Sequence, residues 1–583
     1  MDKWTIARTL DEIAKYIELS DPNPFRARAF DKAARAIEKL DADVEKLVLS
    51  GELLSVAGIG KAIGPIVSEL VTTGQSSYLE ELRKQYPPGI FELLRIPSLG
   101  LKKIGILYST LGVASLEQLE AAARAGRIAK LKGFGAKTQE KILENIETAK
   151  TRTSQFLLPT GLETGESIRE QLAAIEEVSD AEVTGSVRRR LEIIRNVNIA
   201  IAARDPKRAI AAIRKCAVID QIEEVRYPAG SADETTLRGV ARDELEVLLH
   251  ICKPEEFGAT VLRTTGSKEF VEAFVGAASS STPKRAGERK PAAPPKAKTE
   301  HEVFEHAGIP FIDPELREDG SALDRKKRVK LIHPTDLRGT FHIHTTFSDG
   351  RNSVLEMLTA ARDRGWEYAG LSDHSKNAFY ARGLTEEDLK RQHAEIRAHE
   401  GAVAPMRVFR GTEADILNDG TIDYGPKTLA KFDFVIASVH SRFGMNKDEM
   451  TTRLLRALDD PFVTFLGHLT GRLLLSRAGY TFDFDRIFDR AAERGVIIEI
   501  NGSPRRAELD WRMIQRAVDR GVVLSIHPDA HAIGELSRVI NGTWVARKGG
   551  LSAKQIFNTR GVDEVAEYLA ERRARIPKKN MSS

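Results

Sequence analysis

Phe341-His342-Ile343-His344-Thr345-Thr346-Phe347-Ser348-Asp349-Gly350 is the stretch on which the reading of this chain turns. Apolar residues alternate with histidine at a strand period, and residues i and i+2 of a strand lie on one face. His342 and His344 are therefore expected to point together, with Asp349 one short loop beyond. The pattern recurs downstream. Successive apolar runs lead into Asp373-His374, Glu413-Ala414-Asp415, His440, His468, Asn501 and His527-Pro528-Asp529-Ala530-His531. Amphipathic helical segments separate these runs, which predicts parallel strands closing into a barrel with its polar groups at the C-terminal strand ends. A lone histidine there is most often a structural hydrogen-bonder; polar groups at seven strand ends together point to metal. Imidazole with carboxylate suits Zn²⁺, Mn²⁺ or Fe²⁺ better than Ca²⁺. More than four ligands implies more than one ion, with Glu413 as a natural bridge.

Around this half, 583 residues predict several domains, and 42% hydrophobic with 30% charged residues predicts an ordinary folded, soluble chain. No apolar run reaches the roughly 18 residues of a membrane span, and no basic-then-apolar leader opens the chain, so a cytoplasmic protein without membrane contact is expected. Cys216 and Cys252 are too few for a disulfide framework or a thiolate zinc site. A net charge of +4 is too mild to announce a nucleic-acid binder by itself. The histidines are more telling: of thirteen, none precedes His250 and ten lie from His333 to His531.

Upstream, residues 277–299 hold four prolines, six Lys/Arg and one Glu without a large apolar side chain, which predicts a disordered basic linker. A bland tether is the first reading and DNA contact by its lysines the second. Residues 300–335 read as an extended connector, and 153–276 as an α+β domain. Residues 1–150 are helical by period and contain three related loops: Val56-Ala57-Gly58-Ile59-Gly60-Lys61, Ile96-Pro97-Ser98-Leu99-Gly100-Leu101-Lys102 and Leu131-Lys132-Gly133-Phe134-Gly135-Ala136-Lys137. One such loop would be a plain helix–helix turn. Three, each followed by lysine (Lys61, Lys102, Lys137), present backbone N–H groups and charge to phosphates, with Gly58, Gly60, Gly100, Gly133 and Gly135 giving access. They resemble helix-hairpin-helix motifs, which grip the DNA backbone without reading sequence.

His342-x-His344, Ser348-Asp349-Gly350, Asp373-His374, Glu413-x-Asp415, Ser438-x-His440, Gly467-His468 with Thr470-Gly471-Arg472, and Asp529-Ala530-His531 closely resemble the polymerase-and-histidinol-phosphatase (PHP) domain, a resemblance that covers about residues 336–561 of a barrel domain expected over 336–575. The resemblance implies a distorted (β/α)7 barrel holding up to three ions, Mn²⁺ first and Zn²⁺ next. It implies that His342, His344, Glu413 and Asp529 hold one ion, that Glu413, His440 and His468 hold a second, and that Asp349, His374 and His531 hold the third. All nine positions are filled; Leu469 replaces a usual proline that is not a ligand. Arg472, with Arg442 and Arg505 behind it, is the candidate for neutralising phosphate charge in the catalytic step.

The order of hairpins, α+β domain and PHP barrel resembles bacterial family X DNA polymerases, with a nucleotidyltransferase-like palm matched from Gly185-Ser186 through Asn198 and from Leu248 through Lys268. That family holds Mg²⁺ on an Asp-x-Asp pair and a third Asp. Here Asn196 and Asn198 fill the pair and Leu248 the third position, which cannot hold a hard, hydrated cation. Glu246 would substitute only if the register shifted by two. Polymerisation is expected to be lost, the family's thumb looks truncated, and Ile66 stands where lyase-active relatives have a Schiff-base lysine. Arg188–Arg190 read as either phosphate contacts or a solvated edge.

The function expected is a metal-dependent DNA phosphoesterase of repair, a 3′→5′ exonuclease with AP-endonuclease and 3′-phosphatase activity as related outcomes, acting on gapped, nicked or abasic duplex. The alternatives are a histidinol-phosphatase-like small-molecule phosphatase, a non-enzymatic DNA-binding adaptor, and an active polymerase–exonuclease.

Overall fold

The three Gly-x-Gly loops fold alike in the computed structural model of the chain, which describes residues 3–20, 24–38, 40, 44–56, 58–87, 90–96, 99–131, 133–152, 155–215, 219–225, 234–241, 245–281, 294–324 and 330–576. In each loop an apolar residue donates its N–H to the carbonyl three residues back: Ile59 to Val56 at 3.0 Å, Leu99 to Ile96 at 3.1 Å, Phe134 to Leu131 at 3.0 Å. Each of these side chains is buried in the helical core, so it plugs the turn in place. Gly58 and Gly133 take φ of 107° and 88°, the left-handed region in which a Cβ is strained. Their counterpart Ser98 lies outside the described residues. The following glycines open the next helical turn, and nothing stands within 4 Å of where a Cβ on Gly60, Gly100 or Gly135 would sit. Lys61, Lys102 and Lys137 are all exposed beside these open backbones. Hairpins and helices form one compact unit, Met1–Thr153; the second unit is Ser154–Ser583.

The second unit begins with the α+β domain. Its strands are β1 (Phe156–Leu157), β2 (Asp180–Thr184), β3 (Ile193–Ile194), β4 (Asn196–Ala202), β5 (Asp220–Val225), β6 (Thr235–Val240) and β7 (Glu246–Cys252). The main sheet runs β2-β4-β7-β6-β5, with β4 and β7 parallel and the other pairs antiparallel. β4 is apolar almost throughout because helices Leu158–Ala173 and Phe257–Thr265 both pack against it.

Residues 277–324 correct the expectation of a linker and an extended connector. Helix Lys268–Ser281 runs into the supposed linker; residues 282–293 lie outside the described residues. By residue 297 the chain is packed, since the Ala297 carbonyl accepts from Gly258 at 2.9 Å and Thr299 caps helix Glu300–His306. Phe270, Phe304 and Phe311 then surround Arg317, whose guanidinium lies 5.0 Å from the Phe304 ring and pairs with the Glu300 carboxylate. A few large apolar residues close around one buried ion pair, which average composition conceals. A helical subdomain therefore follows the palm where a direct passage into linker was expected. Arg188 and Arg189 are neither solvated nor poised for phosphate: Arg188 binds both Glu300 oxygens at 3.0 Å, and Arg189 reaches Glu318 at 2.9 Å.

The barrel strands are β8 (Gly339–Ile343), β9 (Tyr368–Leu371), β10 (Arg407–Asp415), β11 (Phe434–Ser438), β12 (Phe465–Leu466), β13 (Ile497–Asn501) and β14 (Leu524–His527). They pair in sequence order, all parallel, and β14 returns to β8 through His344 N–H to Ala530 O at 2.9 Å and Ala530 N–H to His342 O at 3.1 Å. Phe341, Phe409, Phe434 and Phe465 fill the lower barrel, with the Phe341 and Phe465 rings 4.9 Å apart. Gly411 is needed there, because a Cβ on it would lie 2.2 Å from Phe434. The apolar plug leaves the strand tops as the one rim for polar groups. Among the described residues no helix is long and apolar enough to cross a membrane.

Candidate metal centre

Glu413, at the top of β10 and 1% exposed, is the hub. Its Oε1 lies 2.8 Å from His468 Nε2, 3.2 Å from His440 Nε2 and 3.3 Å from His342 Nε2. Its Oε2 lies 3.1 Å from His374 Nδ1 and 3.5 Å from His344 Nε2. Asp529 faces it from the end of β14, with Oδ1 at 3.5 Å from His342 Nε2 and 3.6 Å from His344 Nε2. At the rim, Asp349 Oδ1 lies 3.3 Å from His531 Nε2 and 3.6 Å from His374 Nε2. The structure thus brings all nine expected residues into one continuous cluster. The three expected sets overlap in it: His344 joins the Asp349, His374 and His531 group, and His374 joins Glu413 and His440.

The strand-period argument for His342 and His344 needs a correction of cause. His342 has φ of 64°, and the β8–β9 register shifts between Thr340 and Ile343, so β8 carries a bulge at the first ligand position. Both rings still turn inward, 5.2 Å apart. Asp529, at φ 51°, is also left-handed, so strained backbone concentrates where the ligands converge.

Two residues completing the centre, Glu499 and Arg506, were not singled out in the sequence, and a third, Asp415, stood only in the Glu413-x-Asp415 motif without a role. Glu499 on β13 is fully buried, pairs with His342 Nδ1, accepts from His468 N–H at 2.5 Å and lies 3.1 Å from His527 Nδ1. One carboxylate in the run Val496-Ile497-Ile498-Glu499-Ile500 was the available signal, since a buried charge demands partners. Asp415 orients His440 by Nδ1 at 2.7 Å. Arg506 enters the centre, with Nε 3.2 Å from Asp529 Oδ2. Arg472, the expected catalytic arginine, is spent elsewhere: it donates to Arg506 O at 2.8 Å, to Asp510 at 2.6 Å and to Ala507 O. It holds the 506–510 turn that delivers Arg506, while Arg442 and Arg505 are exposed. The turn is tied in turn to the palm, because Asp510 pairs with Arg512 at 3.0 Å and Arg512 with Glu192 at 2.8 Å, and Glu192 also accepts from Trp511 Nε1 at 3.2 Å.

The electrostatics are those of a site suited to cations. Burial works against charge throughout, yet His342, His374 and His440 hold the Glu413 carboxyl well below its ordinary range. Against burial, Glu413 and Asp415 raise His440 to about 9, and Asp349 and Asp529 raise His531 to about 9. Burial pushes His374 down to about 3. Buried nitrogens that make no hydrogen bond include His342 Nε2, both nitrogens of His344, His374 Nδ1 and His468 Nδ1. Each such atom costs about 1–3 kcal/mol when left unsatisfied. Donor type, convergence and these orphaned nitrogens all fit divalent ions of the Mn²⁺ or Zn²⁺ kind.

The palm offers a contrast. β4 and β7 set Asn198 opposite Leu248 and Asn196 opposite Glu246. Asn198 Nδ2 donates to Asn196 Oδ1 at 2.9 Å, Asn196 Nδ2 to Glu246 at 3.3 Å, and His250 Nε2 lies 3.0 Å from Asn198 Oδ1. In the helical unit, a cleft of about 980 Å³ beside the first hairpin has Arg26, Lys32 and Lys61 on its walls and Ile66 where a lyase lysine was sought.

The chain matches a helix-hairpin-helix domain over residues 1–76, a SAM-like helix-hairpin-helix tandem over 90–148 and a PHP domain over 340–527. Asp529 and His531 lie just beyond the last match. Among relatives, the DNA polymerase/3′-5′ exonuclease PolX of Bacillus subtilis is 34% identical over 581 residues, covering 98% of this chain and 99% of that protein. A probable phosphatase of Caldanaerobacter subterraneus is 31% identical over 181 residues, 29% of this chain and 68% of that protein. A probable phosphatase of Photobacterium profundum is 32% identical over 167 residues, 28% of this chain and 63% of that protein.

Proposed function

This chain belongs to the PolX family, bacterial family X polymerases with a C-terminal PHP domain, and from that premise we propose that its barrel is a metal-dependent 3′→5′ exonuclease of DNA repair and that its palm no longer polymerises. The observation that carries the first half is the ring of buried, unsatisfied imidazole nitrogens around Glu413. His342, His344, Glu413 and Asp529 would hold one ion, Glu413, His440 and His468 a second, and Asp349, His374 and His531 a third. Ions so held supply a water of near-neutral pKa and neutralise the phosphoryl oxygens. The chain's own residues do the rest. Glu499 and Asp415 fix the tautomer and tilt of His342 and His440, as carboxylates behind ligating histidines do. Arg506 directs a guanidinium toward the phosphate seat, and Arg472 keeps its turn in place. The hairpin loops, with Lys61, Lys102 and Lys137, hold the duplex backbone without reading sequence.

The second half rests on Asn196, Asn198 and Leu248. Two-metal primer extension needs paired carboxylates, and these positions carry none. The phosphatase relatives favour a second reading, hydrolysis of a small phosphomonoester at the same centre.

End-labelled gapped, nicked and abasic duplexes, incubated with Mn²⁺ beside histidinol phosphate, separate the readings. The expected result is a ladder shortened from 3′ ends, abolished by His342→Ala with DNA affinity within a few-fold of the unsubstituted chain. No primer extension is expected from the His342→Ala chain. Turnover of histidinol phosphate alone would sink the nuclease reading, and templated extension would restore the polymerase.

A further inference from the structure

Directly after His374 the chain runs Ser375-Lys376-Asn377-Ala378-Phe379-Tyr380-Ala381-Arg382-Gly383, a loop whose burial is inverted. Ala378 and Ala381 are fully buried, while Phe379 is 84% and Tyr380 67% exposed. A loop seeking stability would do the reverse, since apolar burial gains scale with area. Nor is the loop loosely held. Ala381 donates to Ala378 O at 2.9 Å, Gly383 to Ala378 O at 3.0 Å, Leu384 to His374 O at 2.9 Å, and Asn377 N–H to Asp423 at 2.8 Å. The Arg382 guanidinium ties it to Ser348 O in the loop after β8. Two aromatic rings are therefore presented to solvent from a fixed base. The Tyr380 ring lies 6.0 Å from the rings of both His374 and His440, at the edge of the metal centre. Lys376 and Arg382, both exposed, flank the pair.

We propose that Phe379 and Tyr380 form a stacking platform for the terminal nucleobase of the DNA strand whose last phosphodiester sits on the centre. Exposed aromatics interleaved with cations are the means by which proteins hold single-stranded nucleic acid, and every base has a face to offer, so the platform is sequence-tolerant. It also requires the end nucleotide to leave its partner, so frayed or unpaired ends are preferred. The inference rests on the nuclease reading above and adds the base contact that a small-phosphoester enzyme has no use for.

The test compares the full chain with its Phe379→Ala/Tyr380→Ala variant on two oligonucleotides, one ending in 3′-terminal 2-aminopurine and one in a base-free 3′ residue. With metal removed by chelator, 2-aminopurine fluorescence should be quenched by the unsubstituted chain and left unquenched by the variant. With Mn²⁺, the variant's KM for the base-bearing strand should rise about 10- to 100-fold, the range of one lost base stack, with kcat changed less. KM for the base-free end should match between the two proteins, and Phe379→Trp should retain tight binding. An unquenched probe with the unsubstituted chain, or an equal KM change at both ends, would overturn the platform. Hydrolysis of small phosphomonoesters with neither oligonucleotide cut would instead overturn the nuclease reading, while the quenching arm still reports on the platform.

Discussion

The molecule holds two constellations built on the same plan, polar side chains converging from adjacent strand ends, and they have been finished in opposite ways. In the palm, Asn196, Asn198, His250 and Glu246 satisfy one another in a hydrogen-bonded ladder. In the barrel, nine ligand-type side chains crowd a volume in which several buried ring nitrogens make no hydrogen bond. A buried polar cluster that closes on itself rigidifies its surroundings; one with unpaired buried atoms calls for a further partner. Ligand-type residues are thus a poor guide by themselves, and the unsatisfied atoms decide.

The largest effect that sharpens this contrast is at its hub. Glu413→Gln should lower phosphodiester hydrolysis to below about a thousandth, corresponding to about 4 kcal/mol of lost transition-state stabilisation. Asn196→Ala in the palm should leave the same rate within a few-fold. Single-turnover cleavage of a labelled strand reads both, and equal losses would erase the distinction. Glu499→Gln comes next. It touches no expected ion but orients His342, so Mn²⁺ affinity or activity should fall about 10- to 100-fold, measured by metal titration. An unaltered titration would make Glu499 mere filling.

Asn198→Asp tests the closed ladder. It replaces the Nδ2 donor to Asn196 Oδ1 with an acceptor at a site 7% exposed, leaving buried oxygens facing each other. Protection of β4 amides against hydrogen exchange should fall by about 1–3 kcal/mol. Gain of protection with Mg²⁺ would mean the palm still recruits a cation. The smallest effect is in protons. With pKa near 9 in the metal-free chain, His440 and His531 are protonated at pH 7.5, and a nitrogen must shed its proton to bind metal. Metal binding should therefore release protons, and affinity should climb as pH rises toward 9. Calorimetry in buffers of different ionisation enthalpy reads this, and a buffer-independent heat would contradict it.

The barrel was legible in the sequence because six of its seven strands lead into an expected ligand, and the alternation of strand and helix makes the strands parallel, so those ends share one rim. What was hidden depends on meetings across the chain. Glu499 acts through His342, on the opposite side of the barrel in sequence. Arg506 and Arg472 look interchangeable as letters, and only the 506–510 turn shows which one is free to face the centre. Arg188 and Arg189 could not be assigned before Glu300 and Glu318 arrived from the far side of the supposed linker. The small core around Arg317 was missed for a related reason: its rings come from both sides of residues 277–299, Phe270 from before them and Phe304 and Phe311 from after. Phe379 and Tyr380 carry no motif at all; their exposure is visible only once the loop is folded.

The line from Glu192 through Arg512, Asp510 and Arg472 to Arg506 gives the palm a mechanical duty. It is a strut, anchored in one domain and loaded in the next, and its working end rests against Asp529. On the proposal that templated synthesis is lost, the chain would still not be free to discard the palm. Excising the barrel as a shorter enzyme would cut this strut, strip the indole N–H of Trp511 of its acceptor and leave the arginine's turn without its outer support. The palm is thus part of the footing on which the metal centre's arginine stands.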